Sequence, residues 1–460
     1  MIIARMFALL LLVFLAAASV AVSAAQLVDD ETGTDTYVRR MIEATRVAWP
    51  ALAAFNQATR VFADIQLLTS NGRRAWVMDA RGGHEVEMAQ VAALGLSHEY
   101  QRYRKILWQG RPAIFVGLGD ALPEAERRRM DDPLAVPDVF SLATHEAFHF
   151  YVEHDWVHIP GAERSILYPA LAEPRVYRNL IIRHLLAAAQ GQPDGLARAS
   201  YWHRRWLREH ADEARRIGNT DRSEGSARYV ESVGRLLAQG LRPGAAEWSV
   251  RMLDTLTRQG REDYLSADQE SYVLGDLAGY LLERQGVDWL SRVARGETPV
   301  AILLESLPPL ATPADEALGQ RLGEAVAKAN RQAAQAFGPF SQRFNDPSGG
   351  RLLVSNRAMQ GSFEIGNSYL LAAQPEKIEV GVRADFVFGD GRIELIAATV
   401  ATRIQEACGR EDFYWILALT ADELEKKADG RLRIERDDLK VDLPYPVRAV
   451  DDPRNWCVEA

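Results

Sequence analysis

The spacing of hydrophobic positions divides this chain into two regions. From Asp35 to about Phe344 the pattern is mainly helical, with one early patch of strand character. In that patch, residues 62–68 and 74–79 flank Ser70-Asn71-Gly72, and an Asn-Gly pair favours a tight hairpin turn. Residues 106–108 and 112–118 are separated by Gln109-Gly110, a second turn candidate. The four runs predict a small sheet. A helical run over 314–336 follows Thr312-Pro313, and Asn345-Asp346-Pro347-Ser348-Gly349-Gly350 reads as a linker. Beyond it the period changes. Ile378, Val380, Val382, Ala384, Phe386 and Phe388 alternate with more polar residues, as do Leu432 with Ile434 and Leu439 with Val441 and Leu443. The predicted fold class is α+β: a mainly helical domain with a small sheet over 26–344, then a β-rich domain, sandwich or barrel, over 351–460.

The first residues bear on location. A single positive charge precedes an apolar run, and Ser23-Ala24-Ala25 supplies small residues at a cleavage position. This predicts a secretory signal peptide over residues 1–25, with Gln26 starting the mature chain. The apolar run is at the short limit for crossing a bilayer, and no later segment is longer. The expectation is a periplasmic or secreted protein with no stable membrane span after cleavage. Cys408 and Cys457 are the two cysteines, and in an exported chain they are expected to pair. Such a length needs more than one core. The net charge of −9 comes with no basic stripe, which argues against nucleic acid as a partner.

The chemistry concentrates at His145-Glu146-Ala147-Phe148-His149. Histidines four apart on a helix share one face, about a turn apart, and can bind one metal ion together. Val139, Phe140, Leu142, Ala143, Phe150 and Tyr151 make the helix apolar nearly all round, hence buried. Buried imidazoles need partners, and zinc would satisfy both. Glu146 is then placed as the general base acting on water.

A third protein ligand is needed, and spacing leaves two candidates. Glu224 opens Glu224-Gly225-Ser226-Ala227-Arg228-Tyr229-Val230-Glu231, where Gly225 and Ser226 would admit a close neighbouring helix. Asp221-Arg222-Ser223-Glu224 also has capping-box spacing, which would make Glu224 a helix cap. Glu173, before Pro174, is the rival. Glu231 shares a helix face with Glu224 and is placed either to orient a histidine or to pair with Arg228 or Arg235. Tyr229 and Tyr272 are possible oxyanion donors or plain core residues. His154 and His158 read as surface residues, and Tyr201, Trp202, Trp206 and Leu207 as a core stripe.

The run HEAFH, then EGSARYVE, then Tyr272-Val273-Leu274-Gly275 with Gly279-Tyr280-Leu281-Leu282-Glu283, resembles the gluzincin metallopeptidases of the peptidase MA-like kind. The likeness covers about Leu142 to Leu307. It implies a zincin-like catalytic domain, zinc held by His145, His149 and Glu224, Glu146 as the base, and a peptide or protein substrate. The interval between the two main motifs is longer than in compact members, which keeps Glu173 open. Two readings from other classes stand beside the peptidase: a non-catalytic, zinc-stabilised envelope assembly protein, and a scaffold whose β domain grips a partner. The intact Glu146 argues against the former.

Overall fold

The computed structural model describes residues 33–157, 159, 164–357, 360–371, 375–449 and 452–458. The expected signal peptide, Gln26 and His158 lie outside these residues. The helices are α1 (33–55), α2 (Met88–Ala92), α3 (Glu124–Arg129), α4 (Asp138–Tyr151), α5 (Ala172–Ala189), α6 (Gly195–Glu209), α7 (Ala211–Ala238), α8 (Ala246–Gly260), α9 (Ala267–Arg284), α10 (Leu290–Ala294), α11 (Pro299–Leu304) and α12 (Glu316–Asn345).

The early strands form one sheet of β1 (Gln66–Ser70), β2 (Ala75–Asp79), β3 (Gly82–Val86), β4 (Tyr103–Trp108) and β5 (Arg111–Gly117), ordered β3-β2-β1-β5-β4. β1 runs parallel to β5, and the other pairs are antiparallel. The Asn-Gly turn joins β1 to β2, with Gly72 at φ 82°. β1 begins later than its apolar run suggests, because Gln57–Ala63 forms a 3-10 helix. β4 is a sheet edge. Tyr151, at the end of α4, donates its hydroxyl to the Ala113 carbonyl of β5 at 2.8 Å, fixing the helix against the sheet.

Helices α5, α7 and α9 are bolted by a buried ionic cluster. Arg178 of α5 donates to Asp221 of α7 at 2.7 and 3.0 Å and to Glu270 of α9 at 2.6 Å. Ser271 of α9 donates to Asp221 at 2.6 Å. A buried guanidinium tolerates desolvation only with such full pairing.

The C-terminal region is β-rich, as the alternation predicts. It comprises β7 (Gly350–Ser355), β8 (Gln360–Glu364), β9 (Asn367–Leu371), β10 (Lys377–Phe388), β11 (Gly391–Ala407), β12 (Arg410–Leu419), β13 (Arg431–Glu435), β14 (Leu439–Pro444), β15 (Val447–Arg448) and β16 (Asn455–Cys457). β10 and β11 form the long central hairpin, which slips register around Val382. Gly381 there has φ 73°, a conformation that a side chain would disfavour. One apolar cluster joins Leu352, Val354, Trp415 and Leu417 to Leu432, Val441 and Leu443, so the sheet encloses its own core. A second cluster sets Phe337, Phe340 and Phe344 of α12 against Ile378, Ala401 and Ile416. The linker lies where expected, yet α12 serves both sides of it: Leu318 and Leu322 belong to the helical core. Cys408 and Cys457 are disulfide-bonded.

One strand crosses between the two regions. The three residues of β6 (Ile166–Tyr168) pair in parallel with β9, Ile166 opposite Tyr369 and Tyr168 opposite Leu371. Tyr168 packs edge-on against Phe337 at 4.8 Å. Ala170 exchanges two hydrogen bonds with Asn330, at 2.8 and 3.0 Å. No helix among the described residues is long and apolar enough to cross a membrane.

Candidate metal centre

α4 is held between α1 and α7, with its histidines facing α7. Thr144 accepts a hydrogen bond from the Trp49 indole at 3.1 Å, and its methyl lies 3.2 Å from where a Cβ at Gly234 would be. α7 in turn meets α9 backbone to backbone. A Cβ on Gly275 would lie 2.1 Å from the Gly225 Cα. The small residues beside Glu224 thus do admit a close helix, and that helix carries the Tyr272–Gly275 motif.

This packing brings His145, His149 and Glu224 together, each offering a ligand atom, all within 4.8 Å of one another. The two Nε2 atoms are 3.0 Å apart. Glu224 Oε2 lies 3.2 Å from His145 Nε2 and 3.5 Å from His149 Nε2. A tetrahedral ion with ligand bonds of about 2.0–2.1 Å separates its ligand atoms by about 3.3 Å. Two nitrogens and one carboxylate oxygen at these spacings fit three corners of such a site.

The opposite ring nitrogens face carboxylates. His145 Nδ1 is 3.3 Å from Glu231 Oε2, and His149 Nδ1 is 2.5 Å from Glu153 Oε2. Glu231 spends its other oxygen on Arg228 at 2.8 Å, so it pairs with that arginine while standing behind the His145 ring. Glu153 also accepts from Ser223 at 2.7 Å. The other Glu224 oxygen, Oε1, accepts from Arg164 at 2.7 Å, while Arg164 grips Asp268 at 2.8 and 2.9 Å.

The electrostatics follow from this crowding. Burial opposes charge on His149, but Glu153 and Glu224 outweigh it and hold the ring up at about 10. Burial likewise works against ionisation of Glu224, yet hydrogen bonds from both histidines keep it well below the usual carboxylate range. The surrounding carboxylates favour positive charge on or between the imidazoles, whether a proton or a metal ion carries it. Glu146 differs: burial raises its pKa above the ordinary carboxylate value despite the adjacent histidines. Tyr103 of β4 lines the cleft with it, and burial with the Glu146 charge pushes that phenol up to about 12.

Glu146, His149, Glu153, Arg164, Glu224, Tyr103 and Tyr272 line one open cleft of about 580 Å³. The Tyr272 ring lies 5.9 Å from that of His145. Tyr229 is elsewhere, buried against Trp289.

One sequence expectation needs correction and one alternative falls away. Glu224 is not near a helix start, because α7 begins at Ala211 and the buried Asp221 pairs with Arg178 instead of capping. Glu173 stands away from the histidine pair, mostly exposed on α5, accepting from Tyr177 at 2.8 Å and facing His210 at 3.4 Å. His154 is exposed beside Asp155, as expected. Trp202 and Trp206 are core residues, whereas Leu207 is exposed. Sequence reasoning missed Glu153, Arg164 and Tyr103. Glu153 had a signal, lying one helical turn past His149; the other two arrive through tertiary folding alone. Comparison with protein-family models, with curated proteins and with solved structures finds no match for the chain.

Proposed function

We propose that this chain is a zinc-dependent hydrolase of peptide bonds acting outside the reducing cytoplasm. The observation that carries the reading is the division of labour among carboxylates. Glu224 completes a three-donor set with His145 and His149, Glu231 and Glu153 back the two rings, and Glu146 is left over, facing the same cleft with a raised pKa. A purely structural metal site has no use for such a group. The disulfide supports an oxidising compartment.

Two imidazoles and one carboxylate at these spacings suit zinc, which His145, His149 and Glu224 would hold. Bound there, zinc would supply Lewis acidity toward water at neutral pH. Glu146 accepts the proton of the attacking water and delivers it to the departing amine. Its raised pKa suits both transfers, since a carboxylate nearer neutrality also gives its proton back. Tyr103, whose phenol shares the cleft with Glu146, steadies that carboxylate. Tyr272 and Arg164, at the cleft wall, supply donors for the oxyanion that develops as the carbonyl is attacked.

Glu146→Gln tests this, because it keeps size and removes charge while leaving all three donors in place. The variant is expected to fold and to bind one zinc like the wild type. Hydrolysis of a broad peptide library should fall at least ~10²-fold. Undiminished turnover with zinc bound sinks the mechanism. A wild type that binds zinc and cleaves nothing in the library favours the non-catalytic envelope protein.

A further inference from the structure

A second cavity, of about 450 Å³, opens between the α3–α4 connection, α7 and α8, and shares no lining residue with the metal cleft. Five guanidinium groups line it, those of Arg129, Arg228, Arg235, Arg251 and Arg258, against two carboxylates, Asp132 and Asp254. Arg129 is engaged by Glu126 and Asp138, and Arg228 by Glu231. Among the described residues, Arg251 and Arg258 pair only along their own helix, 4.0 Å from Glu247 and 3.5 Å from Asp254. Pairs that loose and exposed contribute little.

Arg235 is the odd one. It is partly buried, and among the described residues its guanidinium makes no hydrogen bond and no ion pair. Burial pulls its pKa down, and Arg228 and Arg129 repel it, although Glu231 and Asp138 pull the other way. Its guanidinium nitrogens are not sealed from solvent, so the fork is free to meet a ligand in the cavity. A guanidinium presents a planar fork of donors that matches the edge of a phosphate, sulfate or carboxylate.

We propose that this cavity binds a small oxyanion, with Arg235 as its anchor and Arg251 and Arg258 closing over it. The site is independent of the catalytic reading. Its ligand is identified by tetrahedral or planar oxyanion chemistry, whether free in solution or on a lipid headgroup.

The test is calorimetric titration of the full mature protein with inorganic phosphate, in parallel with co-sedimentation on phosphatidylglycerol vesicles. One phosphate per chain is expected, bound at least ~10-fold more weakly by Arg235→Gln, the size expected for losing a charge-assisted hydrogen bond. Arg258→Gln, at an exposed position, should weaken it too and serves if Arg235→Gln fails to fold. Phosphate is also a metal ligand, so His149→Ala is titrated alongside and should bind as the wild type does. Loss of binding in His149→Ala with retention in Arg235→Gln overturns the proposal, as does absence of both phosphate and vesicle binding. Vesicle binding abolished by Arg235→Gln assigns the headgroup; phosphate binding without co-sedimentation assigns the free ion.

Discussion

Glu231 Oε2 lies 3.3 Å from Nδ1 of His145, across the ring from the nitrogen that faces Glu224. Glu153 does the same for His149 at 2.5 Å. A carboxylate behind a ligating imidazole fixes its orientation and raises its basicity. Glu231→Gln and Glu153→Gln should each weaken zinc binding by roughly 10–100-fold, the range for lost second partners of metal-bound histidines. Competition with a coloured chelator measures this. An unchanged affinity in both would show that the rings are held by packing alone.

The choice between Glu224 and Glu173 becomes a paired experiment. Glu224→Ala should lose metal, because it removes the third donor and leaves Arg164 facing two imidazoles. Glu173→Ala should retain about one equivalent, since it removes only a surface partner of Tyr177 and His210. Metal content of both purified variants decides the matter.

The α7–α9 crossing gives a prediction remote from any charge. Gly275→Ala would force a methyl to within 2.1 Å of the Gly225 Cα. Overpacking of this kind costs roughly 1–3 kcal/mol, and the strain falls on the residue next to Glu224. Both melting temperature and zinc affinity should drop. Gly323→Ala is the control: nothing lies within 4 Å of its Cβ position in α12, and it should be neutral or slightly stabilising.

His203 gives a pH dependence away from the metal. Burial, chiefly, holds its pKa down at about 4, against about 6.5 in an unfolded chain. The unfolded state therefore takes up the proton first as pH falls. Stability from this group is complete above about pH 6.5 and is lost on descending through pH 4, by about 3 kcal/mol in full. Wild type should lose stability over that window in denaturant titrations, and His203→Gln should lose less. Parallel profiles would show that the ring is not kept neutral.

Local pattern carried much of this structure. The Asn71-Gly72 turn and the strict alternation from Ile378 to Phe388 both name their elements, because hairpin turns and half-buried strands are encoded residue by residue. The pair His145 and His149 is equally local. The start of α7 was hidden because its first turns, around Ala211–Asn219, are polar and carry little apolar periodicity, so the capping-box spacing at Asp221 drew the boundary too late. β3 escaped notice as a largely exposed edge reading Gly82-Gly83-His84-Glu85-Val86. β6 is three residues long and exists only because β9 stands beside it. Arg164 has no motif at all; it reaches Glu224 from the segment just before β6, gripped also by Asp268 of α9.

The same short strand sets an order of events. A chain emerges from synthesis with α4 long before β9, and domains generally fold as they appear. The two histidines can therefore face one another while Ile166 still has no Tyr369 to pair with. The segment that carries Arg164 onto Glu224 gains its strand partner only when the C-terminal sheet forms. The cleft wall is thus braced from two sides: the C-terminal sheet pairs with the strand that follows Arg164, and Asp268 of α9 holds the arginine itself.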